Sequence, residues 1–134
     1  MTDTALEGIA SCEWKNLAPN IIRQRLIIEG TTIEIVEPPA IAEYLRELAN
    51  ITKMVVLGGP FTRSAHECGY AGWIHWKTSG GHFYSYPGAA WGGKNDPLFT
   101  VDTYTCKPFS VPEAVEFTIR YFNPIKMVWK EVEV

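Results

Sequence analysis

The sequence predicts an α+β fold: a two-layer sandwich in which a mostly antiparallel sheet carries two helices on one face. Three observations predict it. Apolar residues recur at helical spacing in two stretches, each opened by a proline-bearing start, after Pro38 and after Ser110. Short runs rich in β-branched and aromatic residues lie around these stretches and are divided by glycine, proline and asparagine. A chain of 134 residues, 46% hydrophobic and 20% charged, builds one ordinary core. Strands interrupted by only two amphipathic helices bury their apolar faces by stacking helix on sheet.

In chain order, residues 1–22 read as an irregular segment, with Pro19 between Asn16 and Asn20 marking loop, and residues 23–134 as a single domain. Arg23 to Ile35 predicts a strand with a bulge at Gly30. Pro38-Pro39 opens a helix, because the first-turn N–H groups have no helical partner to lose. Ile41, Tyr44, Leu45 and Leu48 form its apolar stripe, and it ends near Thr52. Met54–Leu57 predicts a buried strand leading into Gly58-Gly59-Pro60. Tyr70–Thr78 and His82–Tyr86 predict a hairpin around Ser79-Gly80-Gly81, since paired glycines supply the backbone freedom of a tight turn. A long loop over 87–97, containing Trp91 and Gly92-Gly93, precedes a strand from Leu98 to Cys106. Ser110-Val-Pro-Glu113 has the form of a capping box, and Val115, Ile119 and Phe122 mark one face of the helix it starts. Asn123-Pro124 stops that helix, and Met127–Val134 closes the chain as a strand.

Composition excludes several classes of partner. The net charge is −3 and no basic stripe stands out, so neither nucleic acid nor an anionic membrane is an expected partner. No apolar run approaches the ~20 residues of a membrane-spanning helix. The first twenty residues lack a basic start followed by an apolar stretch. With an odd number of cysteines (Cys12, Cys68 and Cys106), this predicts free thiols in a reducing cytoplasm.

Alternation along the strand ending at Cys106 puts Thr100, Asp102, Tyr104 and Cys106 on one face. A thiol beside a phenol and a carboxylate is a candidate proton donor; read alone, it is more often a small buried apolar residue. In the hairpin, Trp73, His75 and Lys77 share one face of the first strand, and His82, Tyr84 and Tyr86 share a face of the second. In the plainer reading Ser79 is a turn residue and the histidines are partly buried and satisfied by neighbours. His66, Cys68, His75 and His82 are residue types that suit zinc, but their spacing matches no standard ligand pair, and no metal is expected. Neither Gly58-Gly59 nor Gly92-Gly93 leads into a helix bearing Lys-Ser/Thr, so neither is a phosphate-binding loop.

The order of elements, with Val101-Asp-Thr-Tyr-Thr-Cys106 and with Thr78-Ser79 followed by a strand ending in Tyr86-Pro87, resembles the prokaryotic S-adenosylmethionine decarboxylase family over residues 23–134. That resemblance implies self-cleavage before Ser79, which would turn the serine into a pyruvoyl group. It implies Cys106 as proton donor, a homodimer, and a product that feeds spermidine synthesis. The chain departs from the family pattern at five places, one of them the loop from Pro87 to Pro97, which is longer than usual. Thr78 stands for the glutamate before the serine, Tyr84 for the histidine that assists cleavage, Ala71 for the assisting serine, and Ala65 for an aromatic that would stack on adenine. His82 or His75 is the expected stand-in for the lost base. The resemblance with these departures implies an uncleaved relative that binds S-adenosylmethionine or a related nucleoside, with no cofactor. The alternatives are an active pyruvoyl-dependent decarboxylase, with the pyruvoyl group from Ser79, and a non-catalytic regulatory partner of an active paralogue. Ser79, Cys106, His82 and Tyr84 are thus the catalytic candidates, and His75, Tyr104 and Asp102 the substrate-binding ones.

Overall fold

The structure, a computed structural model, describes residues 9–90 and 95–133. Its strands are β1 (Gln24–Thr31), β2 (Val56–Ser64), β3 (Tyr70–Trp76), β4 (Ser79–Tyr86), β5 (Leu98–Thr105) and β6 (Lys126–Glu133). Its helices are α1 (Pro38–Thr52) and α2 (Val111–Phe122), with a single 3-10 turn at His66–Cys68. The strands form one sheet in the order β2-β3-β4-β5-β1-β6, and every neighbouring pair is antiparallel. α1 carries the chain from β1, one strand in from one edge of the sheet, to the opposite edge at β2. A meander then returns to β5, beside β1, and α2 delivers β6 to the far side of β1. Among the described residues no helix is long and apolar enough to cross a membrane.

One face of the sheet is covered by helices because its alternate positions are apolar. Leu26, Ile28, Ile74, Phe83, Phe99 and Val101 point into the core, opposite Ile41, Tyr44, Leu45 and Leu48 of α1. Each such side chain contributes about 1.5–3 kcal/mol by leaving water. Tyr44 is the hub. Its ring lies 5.3 Å from Phe117, 4.8 Å from Phe122 and 5.6 Å from Phe83, which ties α1 to both α2 and the sheet. Its hydroxyl shares a 2.8 Å hydrogen bond with Thr118 Oγ1, so the buried polar atom is satisfied. Burial pushes the Tyr44 phenol well above its ordinary pKa, against the opposing pull of that hydrogen bond.

The capping residue holds as expected: Ser110 Oγ accepts from Glu113 N–H at 3.3 Å, and Asn123 ends α2 in the left-handed region. Five expectations need correction. β1 stops at Thr31 and pairs continuously through Gly30, without a bulge. A Cβ at Gly30 would sit 2.5 Å from the Phe99 ring, so the glycine makes room for an aromatic. The run after α1 is not a buried strand. β2 begins at Val56 on the sheet edge, and Val55, Val56 and Leu57 are exposed because no strand flanks them on the outer side. α2 buries Val111, Ala114, Val115 and Thr118, while Ile119 is exposed; the stripe is centred one position earlier than the large residues suggest. His75 and His82 are exposed rather than partly buried.

The hairpin is the fifth correction. Its two-residue tip is Lys77-Thr78, with Thr78 at φ 59°, and Ser79 is the first residue of β4, paired with Trp76. The core-facing pairs are Gly72 with Phe83, Ile74 with Gly81 and Trp76 with Ser79, so each large side chain meets a small one. Gly81 is therefore a packing partner of Ile74, not a turn residue. The Trp91 loop tip and Gly92-Gly93 lie outside the described residues.

Candidate active site

Among the described residues neither α1 nor α2 covers the other face of the sheet, and the register arranges its side chains in rows. One row runs His75, Gly80, Tyr104, Arg25 and Val132 across β3, β4, β5, β1 and β6. The next runs Trp73, His82, Asp102, Ile27 and Lys130. Gly80 has no side chain between His75 and Tyr104, and along these rows lies a hollow of about 660 Å³ whose wall includes His75, His82, Asp102 and Tyr104; Ser79, of core-facing parity, borders it at the very start of β4. Five of the seven expected site residues thus meet in one concavity. Among the described wall residues, Tyr84 and Cys106 are not included.

Cys106 nevertheless adjoins the site directly. Its backbone N–H donates to Ser79 Oγ at 3.0 Å, so the start of β4 and the end of β5 are joined at this serine. The thiol is half-buried, whereas Cys12 and Cys68 are exposed; all three are free. On the floor of the hollow, Arg25 makes a two-pronged ion pair with Asp102: Nε to Oδ1 at 3.0 Å and a terminal nitrogen to Oδ2 at 2.7 Å. The hydrogen bond and charge of Asp102 raise the Arg25 pKa, so the guanidinium is permanently charged. With both carboxylate oxygens engaged, Asp102 acts as an anchor for Arg25 before it acts as a base.

Tyr84 lies farther along the same face. Its ring is nearly parallel to His82, with centroids 6.5 Å apart and 6° between planes. Tyr84 pairs directly with Ala71 across the hairpin, so these two positions form one spot on the open face. That spot is five residues from Ser79 on β4, about 16 Å at the usual rise of a strand. Ala65 lies at the other end of β3 from Ser79: Ser64 pairs with Tyr70, while Ser79 pairs with Trp76. Among the described residues no group of three or more His, Cys, Asp or Glu is placed to hold a metal ion.

No protein-family model matches the chain, and no curated protein does. A crystal structure of the adenosylmethionine decarboxylase from Aquifex aeolicus VF5 does match, with a TM-score of 0.64 over 84% of this chain and 90% of that one, at 18% sequence identity. The fold is that of an adenosylmethionine decarboxylase. The likeness is one of backbone architecture.

Sequence reasoning missed four contributors to this site. Arg25 reaches Asp102 only because β1 pairs with β5, which a separation of 77 residues conceals. Gly80 was readable as a gap once its strand was known. Trp14 and Arg23 line the hollow from the segment that precedes β1, where no periodicity places a side chain.

Proposed function

We propose that this chain is an uncleaved relative of the adenosylmethionine decarboxylases that binds S-adenosylmethionine or a related nucleoside in the Ser79 hollow. The observation that carries the reading is the meeting of Ser79, His75, His82, Asp102 and Tyr104 around one cavity of about 660 Å³, large enough for a nucleoside, in this fold. His75, Tyr104 and the Arg25–Asp102 pair are the groups that would orient the ligand, and Ser79, beside Cys106, marks the position where family chemistry would begin.

A pyruvoyl group would have to come from Ser79, and the residues present do not fit its formation. Cleavage needs help to move protons as the hydroxyl attacks the preceding carbonyl, and such help is typically worth about 10²–10⁴-fold. Ala71 offers a methyl group and Tyr84 a phenol at the paired positions where the resemblance expects a serine and a histidine. His82 faces Asp102 and Trp73 rather than Ser79 in the register. We therefore read the chain as whole, with a free Cys106 thiol, in a reducing cytoplasm.

The same geometry supports a homodimer. Tyr84 and Ala71 lie about 16 Å from their own Ser79, so this spot can serve a Ser79 only on a second copy laid antiparallel on the open face. That face exposes Phe61, Tyr84, Tyr104 and Val128.

Intact mass spectrometry and calorimetry test the reading together. We expect a single species of 15.1 kDa and a saturable heat with S-adenosylmethionine. Two fragments breaking before Ser79 would replace this proposal with the active decarboxylase. A whole chain that gives no heat at millimolar ligand would overturn the ligand assignment.

A further inference from the structure

We infer that Trp14 is the residue that stacks on the purine base of the ligand, which makes the segment before β1 part of the binding site. This rests on the nucleoside reading of the hollow and adds to it the residue and the part of the ligand it holds.

Trp14 lines the hollow yet is 76% exposed. An indole left mostly in water at the rim of a cavity has a large apolar face available to a ligand. Its position is not that of a loose tail. The Arg23 guanidinium donates to Asn16 Oδ1 and, at 3.4 Å, to the Ala18 carbonyl. Ala18 N–H donates to Asn16 Oδ1 at 2.9 Å, and Ile21 N–H to the Ala18 carbonyl at 2.9 Å. These bonds fold residues 16–23 into a turn fastened just ahead of β1, with Trp14 two residues beyond its anchor. Arg23 lines the same hollow, so one arginine joins the strap to the cavity.

The wall chemistry selects the class of ligand. Arg23 and Arg25 are balanced by Asp102 and Glu133, so the formal charges of the hollow cancel. A phosphate would find no net positive field there, whereas a neutral base finds π faces at Trp14, Tyr104 and the imidazoles of His75 and His82. A nucleoside without phosphate fits this balance better than a nucleotide.

The test uses the full chain, its wholeness checked by intact mass, and compares Trp14→Ala and Trp14→Phe with it. Adenosine and AMP are titrated by calorimetry, with tryptophan emission followed in parallel. Trp14→Ala should weaken adenosine binding about tenfold or more, as loss of a base–aromatic stack does. Trp14→Phe, which keeps a π face, should weaken it less. Quenching of emission by adenosine should be lost in both variants, a signal that a merely structural role for Trp14 would leave in place. AMP should bind no more tightly than adenosine. Equal adenosine affinity in Trp14→Ala and its parent would overturn the stacking role while leaving the nucleoside site standing. A parent chain that binds neither adenosine nor S-adenosylmethionine would overturn both. An AMP affinity tenfold above that of adenosine would overturn the charge argument and the class of ligand drawn from it.

Discussion

Introducing serine at position 71 and histidine at position 84 should start backbone cleavage before Ser79. The two positions face each other across β3 and β4, and cross-strand Cβ atoms lie about 4.5–5.5 Å apart, within reach of a hydroxyl–imidazole hydrogen bond. Both are on the open face, away from α1 and α2, and Tyr84 is 41% exposed, so the substitutions should change stability by no more than about 0.5 kcal/mol. Acid–base help of about 10²–10⁴-fold corresponds to about 2.7–5.4 kcal/mol of barrier. The variant should therefore be cut about 10²–10⁴ times faster than the parent. Because the pair sits about 16 Å from its own Ser79, it should act on a second copy, and the rate should rise with protein concentration until dimer formation saturates. Time-resolved intact mass follows the decay of the 15.1 kDa species into fragments 1–78 and 79–134. Two results would refute the reasoning. If the Ala71→Ser/Tyr84→His chain folds with an unchanged thermal midpoint and stays whole over the same interval, the missing helpers are not what blocks cleavage. If it is cut at one rate at every concentration, the helpers act within their own chain.

The remaining predictions concern the frame that holds the site. Gly30→Ala should destabilise the protein by about 1–3 kcal/mol, the usual range for overpacking, because the new methyl would lie 2.5 Å from the Phe99 ring and 3.3 Å from the Lys126 carbonyl; a loss too small to resolve by denaturant unfolding would mean that β1 and β5 can part there freely. Thr78→Gly should stabilise by about 0.5–1 kcal/mol, since relief of the left-handed cost outweighs the extra freedom of glycine in the unfolded chain; Thr78 sits at φ 59°, and a lower urea midpoint in the variant would count against the two-residue turn. Stability should fall as pH rises above the ordinary tyrosine value of about 10. Burial, with the charge and hydrogen bond of Glu43, pushes Tyr121 up to about 12, and burial raises Tyr44 further. The folded state keeps phenol protons that the unfolded chain releases, so the contribution is level below pH 10 and turns against folding above it. Tyr44 alone gives a slope of about 1.4 kcal/mol per pH unit in that window. Urea unfolding from pH 9 to 12 should show this slope, reduced in Tyr44→Phe; an equal slope in both would remove Tyr44 as its source.

What the sequence made legible was parity, and what it hid was register. Alternation over Leu98–Cys106 correctly separated Asp102 and Tyr104 from Phe99 and Val101, and helical spacing found Ile41, Tyr44, Leu45 and Leu48. The proline starts and Ser110 located both helices because those signals act within one turn of chain. The glycine pair misled because it satisfies two requirements equally well, a tight turn or a small partner for a large side chain. A tip at Ser79-Gly80-Gly81 would pair Trp76 with Tyr84 and Ile74 with Tyr86, forcing two tyrosines into the core and turning Phe83 and Ser85 outward. The observed pairs avoid this, and Phe83 and Ser85 are buried. The consequence reaches the chemistry. Parity alone puts His82, Tyr84, Asp102 and Tyr104 on one face and makes them look like one site. Register divides them, leaving His82, Asp102 and Tyr104 in the hollow with Ser79 and carrying Tyr84 five residues away to its partner Ala71. Ala71 and Tyr84 therefore form a spot of their own on the open face, which alternation along the strands groups with the hollow and register sets apart from it.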